Sequence, residues 1–230
     1  MREFIRSELS GWKKTEVFWL LSACAVIWGL SIYWQDTAMG IISSVTGVAC
    51  VVLTGKGKLS AYLFGLVNSV LYAIISFQAA LYGETLLNAL YYVPMQFIGF
   101  ALWNRNMNSE TAEVKKRRMK TGTWLATIAA IGAATFAFGL FLRHVGDAMP
   151  FVDAFTTVCS VAAMLISVLM YAEQWWIWVA VDIVSVYMWW RNFSVGNDNA
   201  ATLLMWVVYL LNAVIMLIRW EKEARRNHEV

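Results

Sequence analysis

The chain has 230 residues, of which 60% are hydrophobic and only 14% are charged, and its formal net charge is +3. Its mean hydropathy is +0.58, whereas a soluble domain carries about 25% charged residues. This composition excludes an ordinary water-soluble enzyme, and no nucleic-acid partner is expected. The long apolar runs and a total of two prolines predict an all-α integral membrane protein.

Eight apolar segments follow one another along the chain. Most have the roughly 17–25 residues that a bilayer span requires, although the second is short. The segments are 17–34, 39–54, 60–82, 85–103, 122–142, 151–171, 174–190 and 201–219. We therefore expect eight transmembrane helices.

The basic residues predict how these helices are oriented. If the N-terminus lies in the cytoplasm, only Arg143 and Arg191 of the 18 Lys and Arg residues fall outside. Cytoplasmic loops of membrane proteins carry such an excess of basic residues, so both termini are expected inside. The long polar connection 104–120 is interpreted as an orientation signal, with contact to anionic lipid head groups as the alternative.

The chain contains a weak internal repeat. The segment SVTGVA (44–49) aligns with TVCSVA (157–162), and a shift of 114 residues places Asn68 opposite Asp182. Each half contains three helices in the same order. The first is rich in small residues, the second carries a polar residue at mid-depth, and the third carries an amide at mid-depth. Repeats of this kind occur in transporters, with the substrate site near mid-membrane.

The repeat predicts two parallel three-helix bundles. Three spans are an odd number, so a linker helix must restore the direction between them. This 3+1+3 arrangement follows one extra N-terminal helix. The predicted boundaries are 1–35 for the N-terminus and extra helix, 36–103 for the first bundle, 104–120 for the basic cytoplasmic loop, 121–143 for the linker helix, 150–220 for the second bundle and 221–230 for the cytoplasmic tail.

The seventh segment carries one acid in the apolar and aromatic run WWIWVAVDIVSVYMWWRN. One helical face collects Trp175, Trp178, Asp182, Ser185 and Trp189. A carboxylate at mid-membrane costs on the order of 2.5–3.5 kcal/mol and is tolerated only toward a protein interior or a water-filled cavity. We interpret this face as lining a substrate path, where indole rings stack on a planar ligand. The alternative is a buried structural acceptor flanked by interfacial Trp anchors.

Other mid-depth side chains add amides and phenols to this acid. The set comprises Asn68 and Tyr72 in the third segment, Asn88, Tyr91, Tyr92 and Gln96 in the fourth, Trp178, Asp182, Trp189 and Asn192 in the seventh, and Tyr209 and Asn212 in the eighth. Such groups suit a flat, polar, largely neutral solute such as a base or nucleoside. A phosphorylated solute would call for a mid-depth Lys or Arg, which the sequence lacks. The alternative role for each amide is interhelical hydrogen bonding.

No combination of residues typical of an enzyme is present. The two histidines, His144 and His228, lie in a loop and in the tail, and no HExxH, GxSxG or CxxC motif occurs. The sequence GKGK at 55–58 lacks P-loop spacing and predicts a tight turn. The three cysteines lie inside apolar runs without metal-ligand spacing, so neither a metal nor a cofactor is expected.

Two stretches resemble the PnuC family of bacterial vitamin transporters, the nicotinamide riboside uptake proteins. The stretches are NSVLYAIISFQAALYGETLLNALYYVPMQFIGFALWNR (68–105) and WWIWVAVDIVSVYMWWRN (175–192), with YLLNAVIMLIRW (209–220) as a third element. The resemblance covers about residues 36–220. It implies a fold similar to that of SWEET sugar transporters within one chain, and substrate contacts from Asn88, Tyr91, Gln96, Trp178, Asp182, Trp189, Asn192 and Asn212.

The resemblance also implies a function. Nicotinamide riboside, a cationic pyridinium linked to ribose, would cross the bacterial inner membrane by facilitated diffusion through a multi-pass homotrimer surrounded by lipid. A cytoplasmic kinase would trap it by phosphorylation without a stable contact. We expect alternating access by rocking of the two bundles about a central site. The open alternatives are a thiamine, riboflavin or sugar carrier, proton coupling through Asp182, and, in a different class, a membrane enzyme or sensor.

Overall fold

The computed structural model describes residues 2–33, 35, 37–78, 85–108, 111–146, 149–194 and 200–226. Within them the chain forms nine α-helices, one π-helical turn and one short β-hairpin, which confirms the predicted all-helical class. The elements are α1 Arg2–Leu9, α2 Lys14–Tyr33, α3 Ala38–Lys56, α4 Ser60–Gln78, the π-helical turn Leu87–Tyr92, α5 Val93–Arg105, β1 Met107–Asn108, β2 Glu113–Val114, α6 Thr121–His144, α7 Pro150–Val168, α8 Gln174–Ser194 and α9 Ala200–Arg226.

The chain folds into two units. The first consists of residues 1–115 with 200–212, and the second consists of residues 116–199 with 213–230. The helix α9 thus contributes its first half to one unit and its second half to the other. The predicted 3+1+3 boundaries concern the sequence repeat rather than contacts, and they stay a prediction.

Several helices have the length and composition of membrane spans. Among the described residues, α3, α6 and α7 are long and apolar enough to cross a bilayer, and the stretch Ser60–Ile75 of α4 is a shorter apolar helix. Most residues of α6 are exposed, a stripe that includes Trp124, Ile131 and Phe138 is half-buried, and Gly139 is buried. An apolar helix with most of its surface uncovered by protein is typical of a helix that faces lipid. The total of eight spans stays a prediction.

The turn between α3 and α4 has a fully buried lysine at its centre. Gly57 adopts the left-handed conformation with φ 82°, which glycine reaches without steric penalty; this is the predicted tight turn. The side chain of Lys58 is 0% exposed. Its Nζ donates to the carbonyl oxygens of Ser7, Ser10 and Ala112, each at 2.9 Å. One ammonium group therefore joins the N-terminal segment to the β-hairpin.

A second buried lysine strengthens the same end of the first unit. The Nζ of Lys56 donates to the carbonyl oxygen of Gly11 at 2.6 Å and lies 2.6 Å from the carboxylate of Glu16 and 2.9 Å from that of Glu113. The charge pattern predicted that these lysines mark the cytoplasmic side but not that they are buried. Here they are paired structural groups.

The connection between α5 and α6 is folded rather than a loose basic loop. Met107 pairs with Val114, and Asn108 with Glu113, in an antiparallel hairpin. The N–H of Val114 donates to the carbonyl oxygen of Gly57 at 2.9 Å. Val114 and Glu113 are buried, so this part of the connection contacts protein.

The turn between α7 and α8 anchors the second unit in a similar way. Met170 has a left-handed φ of 67°, and its carbonyl oxygen accepts a hydrogen bond from the N–H of Arg117 at 2.9 Å. Three residues later, the buried carboxylate of Glu173 accepts from the N–H of Met119 at 3.0 Å. Burial, reinforced by the negative charge of Glu221, raises the pKa of Glu173.

Each unit also contains a buried aromatic pair close to its turn. In the first unit the rings of Tyr62 and Trp103 meet edge to face at 5.0 Å, and in the second Trp175 and Trp220 do so at 5.9 Å. The three Trp side chains are buried. Trp175, which the alternative interpretation of the seventh segment made an interfacial anchor, thus packs inside the protein together with the other two.

Candidate functional site

The helix α8 separates a buried face from an exposed face. Trp175, Asp182 and Ser185 are buried and Trp178 is partly buried. The opposite face exposes Trp176, Ile183, Tyr187 and Trp190. For the first four residues, the face predicted from the helical period is therefore the one that turns inward. The side chains of Trp189 and Asn192 lie outside the described part of the structure.

Asp182 is the buried acid of this face. Its side chain is 3% exposed, so the carboxylate does not point to the outer surface of the helix. Among the described residues, no hydrogen-bond donor or cation is paired with it. The alternative interpretation makes Asp182 a structural hydrogen-bond acceptor. It requires a hydrogen-bond donor, which the described residues do not supply. A buried carboxylate without a partner is a group that a cationic ligand would stabilise.

In the first unit, two predicted site residues converge on Gly47. The Nδ2 of Asn68 donates to the carbonyl oxygen of Ser43 at 2.8 Å and lies 3.2 Å from its hydroxyl. The Tyr209 hydroxyl and the Asn68 amide nitrogen lie 2.7 and 2.9 Å from the place of a Cβ on Gly47. Asn68 and Tyr209, from α4 and α9, therefore border the same small space above α3.

Gln96 occupies a similar position over Gly65. Its side chain is buried, and its Oε1 lies 2.5 Å from the place that a Cβ of Gly65 would take. The Sγ of Cys50 lies 3.0 Å from the same point. The side-chain amide of Gln96 in α5 thus packs directly against the backbone of α4 at Gly65.

Asn88 and Tyr91 lie in the π-helical turn. Asn88 is buried, and its carbonyl oxygen accepts from the N–H of Val93, five residues ahead. The rings of Tyr91 and Tyr92 lie 5.5 Å apart. Single π-helical turns are frequent at functional sites. Sequence reasoning missed this turn, although Pro94, which has no N–H to continue the α-helical bonds, was a signal.

Asn212 already has protein partners at both ends of its amide. Its Nδ2 donates to the carbonyl oxygen of Val51 at 3.1 Å, and its Oδ1 accepts from the Trp19 indole at 3.3 Å. The side chain is 1% exposed. In this structure Asn212 ties α9 to α2 and α3, while its predicted contact with substrate stays a prediction.

Comparison with known proteins gives the same family by three routes. A family profile described as "Nicotinamide mononucleotide transporter" matches residues 37–222. The nicotinamide riboside transporter PnuC of Neisseria mucosa is 39% identical over 96% of this chain and 86% of its own length. That of Haemophilus influenzae is 34% identical over 96% of this chain and 95% of its own. A solved structure, "Crystal structure of the Vitamin B3 transporter PnuC", matches with a TM-score of 0.85 at 39% identity, covering 97% of this chain and 98% of that one.

These relatives and the matching fold are those of a transporter and not of an enzyme. The match extends over almost the whole chain, including the helices that carry the buried acid and the amides. The resemblance seen in the three sequence stretches is thereby confirmed. This chain is a multi-pass membrane transporter and belongs to the PnuC family.

Proposed function

We propose that this chain transports nicotinamide riboside, the solute named for its relatives. The observation that carries the proposal is the buried carboxylate of Asp182, which has no partner among the residues that the structure describes and lies one helical turn from the partly buried indole of Trp178. A pyridinium ring is both flat and cationic. An indole face attracts such a ring through its quadrupole, and a carboxylate attracts it through its charge.

The sugar half of the substrate would be bound by amides. Asn88 and Gln96 are buried in the first unit, and an amide offers both donors and acceptors to ribose hydroxyls. The neighbouring Tyr91, together with Asn68 and Tyr209, completes the proposed set from that unit. Trp189, Asn192 and Asn212 belong to the proposal through the family resemblance alone.

The same chemistry favours the riboside over its phosphorylated form. The family profile is described by the mononucleotide, which carries a phosphate. No Lys or Arg lies at mid-depth in any predicted span, and Asp182 would repel the phosphate. Phosphorylation in the cytoplasm would therefore prevent return of the substrate. This supports a uniporter whose product is trapped by a kinase that needs no stable contact with it.

We further propose a homotrimer in the bacterial inner membrane with both termini in the cytoplasm. The orientation is supported within each unit. The N-terminal segment, the α3–α4 turn and the hairpin meet at one end of the first unit. In the second unit, the basic segment 116–119 meets the α7–α8 turn and the last turns of α9. All these segments belong to the predicted cytoplasmic side.

A binding titration tests the substrate. Purified protein is titrated with nicotinamide riboside, nicotinamide mononucleotide, thiamine and riboflavin, and its intrinsic Trp fluorescence is followed. We expect saturable binding of the riboside and at least tenfold weaker binding of the other three. Preferential binding of thiamine or riboflavin would assign the chain to a different vitamin, and tighter binding of the mononucleotide would overturn the argument from charge.

A liposome assay tests the mechanism. Uptake of radiolabelled nicotinamide riboside should proceed down its own gradient and stay unchanged when ionophores dissipate sodium and proton gradients. The specific alternative is proton coupling, which a buried Asp182 without a partner among the described residues favours. In that case an imposed pH gradient would drive accumulation above the external concentration, and the uniport proposal would be wrong.

A further inference from the structure

We propose that Gly47 and Gly65 are positioning residues of the transporter, which set the places of Asn68, Tyr209 and Gln96 by having no side chain. This inference rests on the proposed function, because those three polar residues are the ones that we assign to the substrate site in the first unit. It adds two residues that themselves touch no substrate.

Gly65 has the closer contact. A Cβ at this position would come within 2.5 Å of the Gln96 Oε1 and 2.9 Å of its Cδ, distances at which the amide must move. Retreat of the amide is hindered because Gln96 is buried, and the Sγ of Cys50 stands 3.0 Å from the same point. An added methyl group would therefore displace the acceptor end of Gln96.

Gly47 acts on two side chains at once. Its missing Cβ leaves room for the Tyr209 hydroxyl and the Asn68 amide, which would lie at 2.7 and 2.9 Å from it. The same amide donates to the carbonyl oxygen of Ser43, one turn away on α3. A methyl group on residue 47 would displace the Tyr209 hydroxyl and strain the bond between Asn68 and Ser43.

Other glycines of this chain show what an ordinary packing role looks like. A Cβ on Gly99 would meet the Tyr62 ring at 2.1 Å, and one on Gly139 would meet the Phe151 ring at 2.4 Å. At those two glycines an aromatic ring packs into the space that a side chain would take. At Gly47 and Gly65 the groups in that space are instead a hydroxyl and amides, and the positions of such groups determine which hydrogen bonds they can form.

The second unit indicates that the repeated fold does not itself require glycine at these places. The left-handed turn residues Gly57 and Met170 give an offset of 113 residues, the same offset that aligns SVTGVA with TVCSVA. At this offset Gly47 corresponds to Ser160, and at the offset of 114 that places Asn68 opposite Asp182, Gly65 corresponds to Val179. Since the second unit has a hydroxymethyl group and an isopropyl group at these places, the repeated fold does not explain the two glycines, and the polar groups packed against them do.

The test compares four single variants in liposomes, each assayed for the KM and maximal rate of nicotinamide riboside uptake and for thermal unfolding. The variants are Gly65→Ala, Gly47→Ala, Gly99→Ala and Gly132→Ala, the last having open space around it. We expect Gly65→Ala and Gly47→Ala to raise KM about tenfold, which corresponds to about 1.4 kcal/mol. Gly99→Ala should lower the unfolding temperature with KM unchanged, and Gly132→Ala should change neither.

A shortened side chain provides the rescue. Gln96→Asn moves the amide back by one methylene, so Gly65→Ala should raise KM in the wild-type background but add nothing in the Gln96→Asn background. If Gly65→Ala does not fold, Gly47→Ala decides the question, since the nearest atom there is the end of a long side chain. Wild-type KM in both variants, or an equal rise in Gly99→Ala, would overturn the inference. Absence of uptake by the wild-type protein would instead reject the proposed function.

Discussion

The two units use the same turn with opposite charges. In the first, Gly57 is left-handed, its N–H reaches the carbonyl oxygen of Thr54 at 3.0 Å, and its own carbonyl oxygen accepts from Val114 at 2.9 Å. In the second, Met170 is left-handed, its N–H reaches Ser167 at 2.8 Å, and its carbonyl oxygen accepts from Arg117 at 2.9 Å. The backbone pattern recurs after 113 residues.

The buried charged side chains near this shared turn differ in the sign of their charge. The first unit buries the ammonium group of Lys58 among carbonyl oxygens, whereas the second buries the carboxylate of Glu173 against the N–H of Met119. A buried charge is tolerated when hydrogen bonds or counter-charges compensate it. A buried charge near this turn can therefore be positive or negative, provided that hydrogen bonds or counter-charges compensate it.

Asp182 departs from this rule. It is as deeply buried as Glu173 and lies nine residues further along, yet among the described residues it has no compensating partner. The comparison teaches that burial alone does not distinguish a structural charge from a candidate functional one. The distinguishing property is whether the protein itself supplies the partner.

The largest expected effect comes from removing the uncompensated charge. Asp182→Asn should reduce kcat/KM for nicotinamide riboside about 10- to 100-fold, because the variant loses the charge attraction proposed between the carboxylate and the pyridinium ring. This range corresponds to about 1.4–2.7 kcal/mol. The isosteric Glu173→Gln is the matched control and should transport within about twofold of the wild type. Equal losses in the two variants would show that the distinction between the acids is wrong. Uptake is measured in liposomes with equal protein content.

Removing a compensated charge should affect stability instead. Lys58→Met leaves the carbonyl oxygens of Ser7, Ser10 and Ala112 without their donor and should lower the free energy of unfolding by about 2 kcal/mol. Lys14→Met, at an exposed position, should leave it unchanged. Chemical unfolding in detergent measures both. A wild-type midpoint for Lys58→Met would mean that the ammonium group does not hold this end together.

The two faces of α8 allow a smaller test of the same kind. Trp178→Ala should raise KM about fivefold, since a cation over an indole contributes roughly 0.5–2 kcal/mol. Trp176, on the opposite face, is 52% exposed, and Trp176→Ala should leave KM unchanged. Uptake into liposomes gives the KM of both variants. A rise in KM for Trp176→Ala alone would place the substrate path on the other side of the helix.

The smallest effect concerns the pH dependence of stability. Burial and Glu221 raise the pKa of Glu173 above its ordinary value of 4.5, so between these two pKa values the folded chain binds more protons than the unfolded chain. The stability contributed by Glu173 therefore increases as the pH falls through this window and levels off below pH 4.5. Relative to Glu173→Gln, the wild type should gain unfolding temperature on acidification. An opposite slope would mean that Arg118 dominates.

Part of the candidate site was predictable because its signals are local. The helical period identified the inward face of α8, and the glycine at 57 indicated the turn. The family followed from stretches that each lie within one or two helices. The roles of individual amides were not predictable. Asn68 and Asn212 are similar in the sequence, and both donate to a backbone carbonyl oxygen of another helix. Asn212 bonds to Val51, 161 residues away, whereas Asn68 bonds to Ser43 and also lies beside Tyr209 over Gly47.

By itself the sequence determined the membrane class, the all-helical class and the inward position of the acid in α8, because hydropathy and periodicity are properties of consecutive residues. It did not predict the short helix Arg2–Leu9. Only the tertiary structure decided which buried charges have compensating partners and which polar side chains pack against glycines. The partners of Lys58 come from α1 and the hairpin, and the groups seated on Gly47 come from α4 and α9. Such contacts join residues far apart in the chain, and no local pattern records whether a distant partner is present.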